Sequence, residues 1–216
     1  MNHRINYFIR QLGKMPKMEN INNLYDYKVS DNKDRRHNLR VYLNKMYHLN
    51  PKVLLVGEAP GYKGCNVTGV PFTSEKIVKE HFFFKDDNYK ITNPKLQSES
   101  TATIMWSILD ELQTYPLFWN AFPFHPYLEN NPFSNRKPNV RELELGRLIL
   151  KKLIRLYRIE ILICVGKVAY KNCLKMNLDL PLHCVRHPSY GGKKDFKLGL
   201  LQVMKNLYDL SNISIR

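Results

Sequence analysis

Apolar runs of two kinds alternate along the chain. Val53–Val56 is continuous, β-branched at both ends and closed by Gly57. Leu117-Phe118-Trp119 ends in the amide of Asn120, Glu160–Gly166 reads EILICVG, and Leu182–Arg186 leads into His187-Pro188-Ser189. Short continuous runs bounded by Gly, Pro or polar residues predict buried strands. Between them the apolar positions fall at helical spacing. Leu39, Leu43 and Met46 share one face of a helix that Asp31 is placed to cap and that runs to about His48. Ile104, Ile108 and Leu112 mark a helix over residues 100–113, and Leu145, Ile149, Leu153 and Leu156 mark one opened by a capping box of Asn139 and Glu142. A short helix to about Met176 follows the third strand. From Lys193 a last helix carries Phe196, Leu200, Val203, Leu207 and Leu210 on one side.

Strands that alternate with helices predict an α/β fold. The expected form is a three-layer α/β/α sandwich with a central, mostly parallel four-stranded sheet, over residues 1–216 as one domain. Residues 1–50 form a helical lead-in packed on the sheet. Ligands of such sheets bind beyond the carboxyl ends of the strands. The glycine loop after the first strand, Asn120 and His187 each stand just past a strand end, so they are placed to converge on one small, hydrogen-bonding ligand. GEAPGYKG has neither the GxGxxG spacing of a dinucleotide site nor the GK[ST] ending of a phosphate loop. In HFFFKDDNYK, Phe82, Phe83 and Phe84 read as core and loop anchors rather than as base-stacking rings.

Charge changes the picture. Lys and Arg number 34 against 19 Asp and Glu, a formal net charge of +15. A chain this basic most often meets a polyanion, and nucleic acid leads that class. No apolar run is long enough to cross a membrane, and no basic amphipathic helix with a bulky apolar face stands out. The four cysteines, Cys65, Cys164, Cys173 and Cys184, form no CxxC, and the first residues are polar and charged. These features predict reduced thiols in the cytoplasm, and a monomer is expected.

The ordered set GEAPG, TGVPF, WNAFPFHP, NRKP and RHPS resembles the uracil-DNA glycosylase superfamily from about Val53 to Ser189. GEAPG and NRKP are similar to its iron–sulfur branch, TGVPF to its single-strand-selective branch. The resemblance implies an enzyme that hydrolyses the N-glycosidic bond of uracil in single- or double-stranded DNA and so starts base excision repair. An iron–sulfur cluster would need four cysteines, two of them before GEAPG; no Cys precedes Cys65, and Phe124 stands where a strand-end Cys would be. No metal and no cofactor are therefore expected.

By the same resemblance the site assigns itself residue by residue. His187 is the donor to the uracil carbonyl beside the scissile nitrogen. Asn120 reads the base edge, since its amide offers a donor and an acceptor in one plane. Phe72 stacks on the base, and Gly57 and Ala59 border it. Ala59 replaces the Asp of the best-known branch, which leaves Glu58 as the candidate to position or activate water, with His125 second. At Gly61 the best-known branch carries an aromatic that blocks the thymine methyl. Thr73, Ser74 and Ser189 are candidates for DNA contact. Tyr190 is the candidate wedge into the gap left by the flipped base, and Lys193 and Lys194 are candidates for phosphate. A catalytically silent DNA-binding module of the same fold is the alternative that Ala59 keeps open.

Overall fold

The computed structural model describes residues 2–85, 87–91 and 93–213, with side chains described through 205. Its elements are α1 (His3–Gly13), β1 (Ile21–Asn22), α2 (Asn32–Leu49), β2 (Val53–Gly57), α3 (Cys65–Thr68), α4 (Glu75–Glu80), α5 (Phe82–Lys85), α6 (Ser100–Leu112), β3 (Leu117–Asn120), β4 (His125–Pro126), α7 (Val140–Tyr157), β5 (Ile161–Val165), α8 (Lys167–Leu174), β6 (Leu182–Val185) and α9 (Lys193–Ile213).

The main sheet has the order β3-β2-β5-β6, and each of its three pairings is parallel. β2, β3 and β5 are continuous, buried apolar runs because helices cover both faces, whereas the edge strand β6 carries His183 and an exposed Cys184. Trp119 packs on Phe8 of α1 from one face (centroids 5.4 Å apart), while Phe118 meets Trp106 of α6 on the other (5.5 Å). α7 and α8 join α1 on the first face, and α9 joins α6 on the second. The edge strand β3 is closed by α2: the Tyr42 hydroxyl accepts the Phe118 N–H at 2.8 Å, and the two rings lie parallel. An edge amide that would otherwise seek another strand is thereby satisfied.

The Asn139–Glu142 capping box opens α7 as the sequence predicts. Asp31 departs from expectation. It precedes α2 in an αR conformation, and its side chain makes no cap bond, accepting instead from the Ser30 hydroxyl at 3.1 Å. Phe83 and Phe84 are buried in an aromatic cluster with Trp106, as read from the sequence, whereas Phe82 is 54% exposed. Phe196 and Leu200 of α9 are fully buried. Leu207 and Leu210 lie outside the residues whose side chains are described. A two-stranded antiparallel pair, β1 with β4, adds a small second sheet that ties residues after α1 to the loop after β3.

Candidate functional site

Register brings the strand ends together. Gly57, the last residue of β2, pairs with Asn120, the last of β3, and Val165 of β5 pairs with Val185 of β6. The loops that leave these ends enclose a cavity of about 320 Å³. Gly57, Glu58, Ala59, Phe72, Asn120, His187 and Tyr190 all line it, so residues from four separate stretches of sequence meet at one place.

Three of these residues form a tight corner. A Cβ built on Gly57 would lie 2.6 Å from Phe72 Cζ and 2.7 Å from Asn120 Oδ1. Only a residue without a side chain lets ring and amide approach the strand this closely. Phe72 holds a left-handed backbone (φ 53°), and its carbonyl accepts from Trp106 Nε1–H at 2.9 Å. Its ring also rests on Phe118, centroids 5.6 Å apart. Asn120 is 5% exposed, yet its carboxamide has no hydrogen-bond partner among the described residues and borders the cavity. The amide atoms are open to the cavity rather than sealed in the core, so they are free to take the hydrogen bonds of a ligand.

His187 faces the same space with a defined tautomer. Its Nδ1 accepts from the Ser189 backbone N–H at 3.2 Å and lies 2.7 Å from the Ser189 hydroxyl. A backbone amide can only donate, so the ring proton sits on Nε2. Burial lowers the His187 pKa, with Glu99 opposing in part. The result is a neutral imidazole whose remaining nitrogen is a donor. Burial lifts the Glu58 carboxyl above its usual range, and Lys137 partly counters it. His125 is fully buried and outside the cavity lining; Nδ1 lies 2.8 Å from the Pro60 carbonyl and Nε2 3.3 Å from that of Pro132. Gly61 also borders the cavity, and a Cβ there would meet nothing nearer than Asn135 Oδ1 at 3.9 Å.

The residues read as DNA contacts divide in two. Thr73 and Ser74 are buried, with hydroxyls engaged inside the fold. Thr73 Oγ1 donates to the Val70 carbonyl at 2.8 Å, and Ser74 Oγ caps α4 by accepting from the Ile77 N–H. They shape the turn that carries Phe72. Ser189 is half-buried against His187, where it orients the ring. Tyr190 is 98% exposed with φ 52°, and Lys193 and Lys194 are exposed and make no ion pair among the described residues. Tyr190 projects from the loop that lines the cavity, and Lys193 and Lys194 stand in the first turn of α9 just after that loop.

Several lining residues escaped the sequence reading. Glu99, the N-cap of α6, accepts from the Thr101 and Ala102 N–H groups at 2.9 and 2.6 Å and points its charge toward His187. NRKP, read only as a family marker, builds a wall. Asn135 Oδ1 accepts the Tyr62 N–H at 3.0 Å, Arg136 makes a two-pronged pair with Glu142 (2.9 and 2.7 Å), and Lys137 faces Glu58. The four cysteines are unpaired thiols, and no group of His, Cys, Asp and Glu suited to a metal assembles among the described residues.

No helix among the described residues is long and apolar enough to cross a membrane. No curated protein matches the sequence. Among solved structures, SMUG2 of Pedobacter heparinus superposes over 97% of this chain and 100% of its own, with a TM-score of 0.65 at 17% identity, a likeness of fold. The family model described as "Uracil DNA glycosylase superfamily" matches residues 45–208, a span that includes every strand of the main sheet and the whole cavity. The strand-end cavity, the shared fold and the matched span agree, and the chain belongs to the uracil DNA glycosylase superfamily.

Proposed function

We propose that this protein, as a monomer, hydrolyses the N-glycosidic bond of uracil in DNA. The observation that carries the reading is the unpartnered carboxamide of Asn120, held between Gly57 and Phe72 in a cavity opposite a neutral histidine donor. An amide that presents a donor and an acceptor in one plane matches the adjacent carbonyl and imino N–H of uracil. Cytosine reverses one of those positions, and a buried partner would then go unpaired. Phe72 supplies a face for the base ring.

The chemistry follows from charge. As the bond from C1′ to N1 breaks, its electron pair moves onto the base, the negative charge spreads to the neighbouring carbonyl oxygen, and the sugar becomes cationic. His187 Nε2–H donates to that oxygen and stabilises the anion as it forms. Water adds to C1′, and Glu58 accepts its proton. The products are an abasic deoxyribose and the uracil anion, which takes a proton from solvent to give free uracil while Glu58 returns its proton to solvent. Tyr190 fills the space left by the extruded nucleotide, while Lys193 and Lys194 meet phosphate.

The test is incubation with oligonucleotides bearing uracil, hypoxanthine, xanthine or no lesion, single- and double-stranded, followed by alkali. Cleavage at uracil is expected. Binding without cleavage of any deaminated base would instead identify a silent module of the same fold.

A further inference from the structure

A second, larger concavity of about 1110 Å³ lies on the other side of the loop that follows β2. Lys17, Arg35, Lys63 and Lys95 line it, no Asp or Glu does among the described residues, and Tyr62 and Phe133 supply aromatic rings. Lys17, Lys63 and Lys95 are exposed and make no ion pair among the described residues. Arg35 is tied at one edge to the Val67 carbonyl and to Asn32. Phe133 is 77% exposed, on a loop that is nonetheless held: Ser134 Oγ donates to the Asn131 carbonyl and accepts from the Leu128 N–H. The Lys63 ammonium lies 5.4 Å from the centre of the Tyr62 ring.

This groove and the base cavity share a wall. Gly61, Gly64 and Cys65 face the cavity, and the interleaved Tyr62, Lys63 and Asn66 face the groove. The Asn135 amide fixes that wall through the Tyr62 N–H. A strand whose nucleotide enters the cavity therefore meets the groove on leaving it. Cations with no acidic neighbour in the lining fit a phosphate backbone, and the exposed Phe133 ring with the half-buried Tyr62 ring fit the faces of unpaired bases. In a stacked duplex those faces are covered. We infer that the groove binds the single-stranded DNA segment flanking the target nucleotide, which gives the protein a preference for unpaired substrate. The inference deepens the glycosylase reading and rests on it for the placement of the strand.

The experiment separates the two. Fluorescence anisotropy with uracil-free oligonucleotides, single- and double-stranded, compares wild type with Lys63→Glu/Lys95→Glu and with Phe133→Ala. None of these residues lines the base cavity. The double reversal is expected to weaken single-strand binding at least tenfold and to flatten the log–log salt slope by about 1.4, the share of two phosphate contacts. Phe133→Ala is expected to cost about tenfold, as the loss of one stacking ring does, with duplex affinity much less affected. On single-stranded uracil substrate both variants should raise KM and leave kcat unchanged. Photocrosslinking of a strand carrying 5-iodouracil beside the target should label Tyr62 or Phe133 in the wild-type protein, which decides the matter even if a variant misfolds. Single-strand affinity unchanged in both variants, equal losses for duplex and single strand, or crosslinks confined to the Tyr190 side would each overturn the groove. An inert wild type in the excision assay would refute the catalytic reading, while the uracil-free binding data would still decide the groove.

Discussion

Gly57→Ala places one methyl group at the centre of the site. Its Cβ would stand 2.6 Å from Phe72 Cζ and 2.7 Å from Asn120 Oδ1, where ordinary contacts begin near 3.4 Å. Ring and amide must each retreat by about 0.7–0.8 Å, or the β2 backbone must yield. Neither neighbour moves freely. The Phe72 carbonyl is held by Trp106 and its ring by Phe118, and Asn120 is paired in register with Gly57 itself. Gly57 is not among the residues with positive φ, so alanine suffers no backbone strain and the effect is steric. Overpacking of this kind costs about 1–3 kcal/mol of stability, a fall in melting temperature of about 2–12 °C for a chain of this size. Displacing reacting groups by about 1 Å costs on the order of 10²-fold in rate. Gly57→Ala should therefore remain folded, bind uracil-free DNA like wild type and lose roughly 10²-fold in single-turnover excision, together with inhibition by free uracil. Wild-type excision by a folded Gly57→Ala protein would refute the reasoning, because the corner would then not be where the base sits.

The remaining predictions address the walls of the same site. A Cβ on Gly61 meets nothing nearer than 3.9 Å, so Gly61→Phe should leave uracil excision largely intact and reduce removal of 5-substituted pyrimidines, as competition between uracil and 5-hydroxymethyluracil substrates would measure. Glu58 must be ionised to take the water's proton, and burial raises its pKa, so excision should rise with pH along an acid limb centred above the ordinary value of about 4.3. Glu58→Gln should lower the rate by about 10²–10⁴ and abolish that limb. A raised carboxyl pKa contributes stability below its unfolded value that is lost as pH rises through the folded one. Glu58→Gln should accordingly melt no lower than wild type at neutral pH. Arg136→Ala leaves Glu142 nearly buried without its cation, and should cost about 3–5 kcal/mol in denaturant unfolding.

The sheet was legible because strands covered on both faces are written as continuous apolar runs, and VLLV, LFW and ILICV stand out on that ground alone, while LHCV, a half-exposed edge strand, was marked by the His187-Pro188 turn that follows it. The β1–β4 pair was not, since Ile21-Asn22 and His125-Pro126 are too short to show any period. α6 was read from Ile104, Ile108 and Leu112, but only Ile108 of these is fully buried. Trp106, Met105 and Leu109 carry the packing, as an aromatic cluster from distant segments turns the helix. Asp31 misled because a good capping residue type says nothing of the backbone angles that a tight preceding turn imposes. In the site, Phe72, Asn120 and His187 stood at predictable strand ends and glycine turns. Glu99 and Lys137 did not, because their partners His187 and Glu58 are near them only after folding.

The account rests on a neutral His187 stabilising the departing base, and single-turnover release of free uracil from a uracil oligonucleotide tests that most directly. Wild type should release uracil, and His187→Ala, checked for folding and DNA binding, should do so about 10²–10³-fold more slowly, the usual cost of one preorganised donor. A rate unchanged by His187→Ala would contradict the mechanism, and a wild type that releases no base at all would contradict the enzyme.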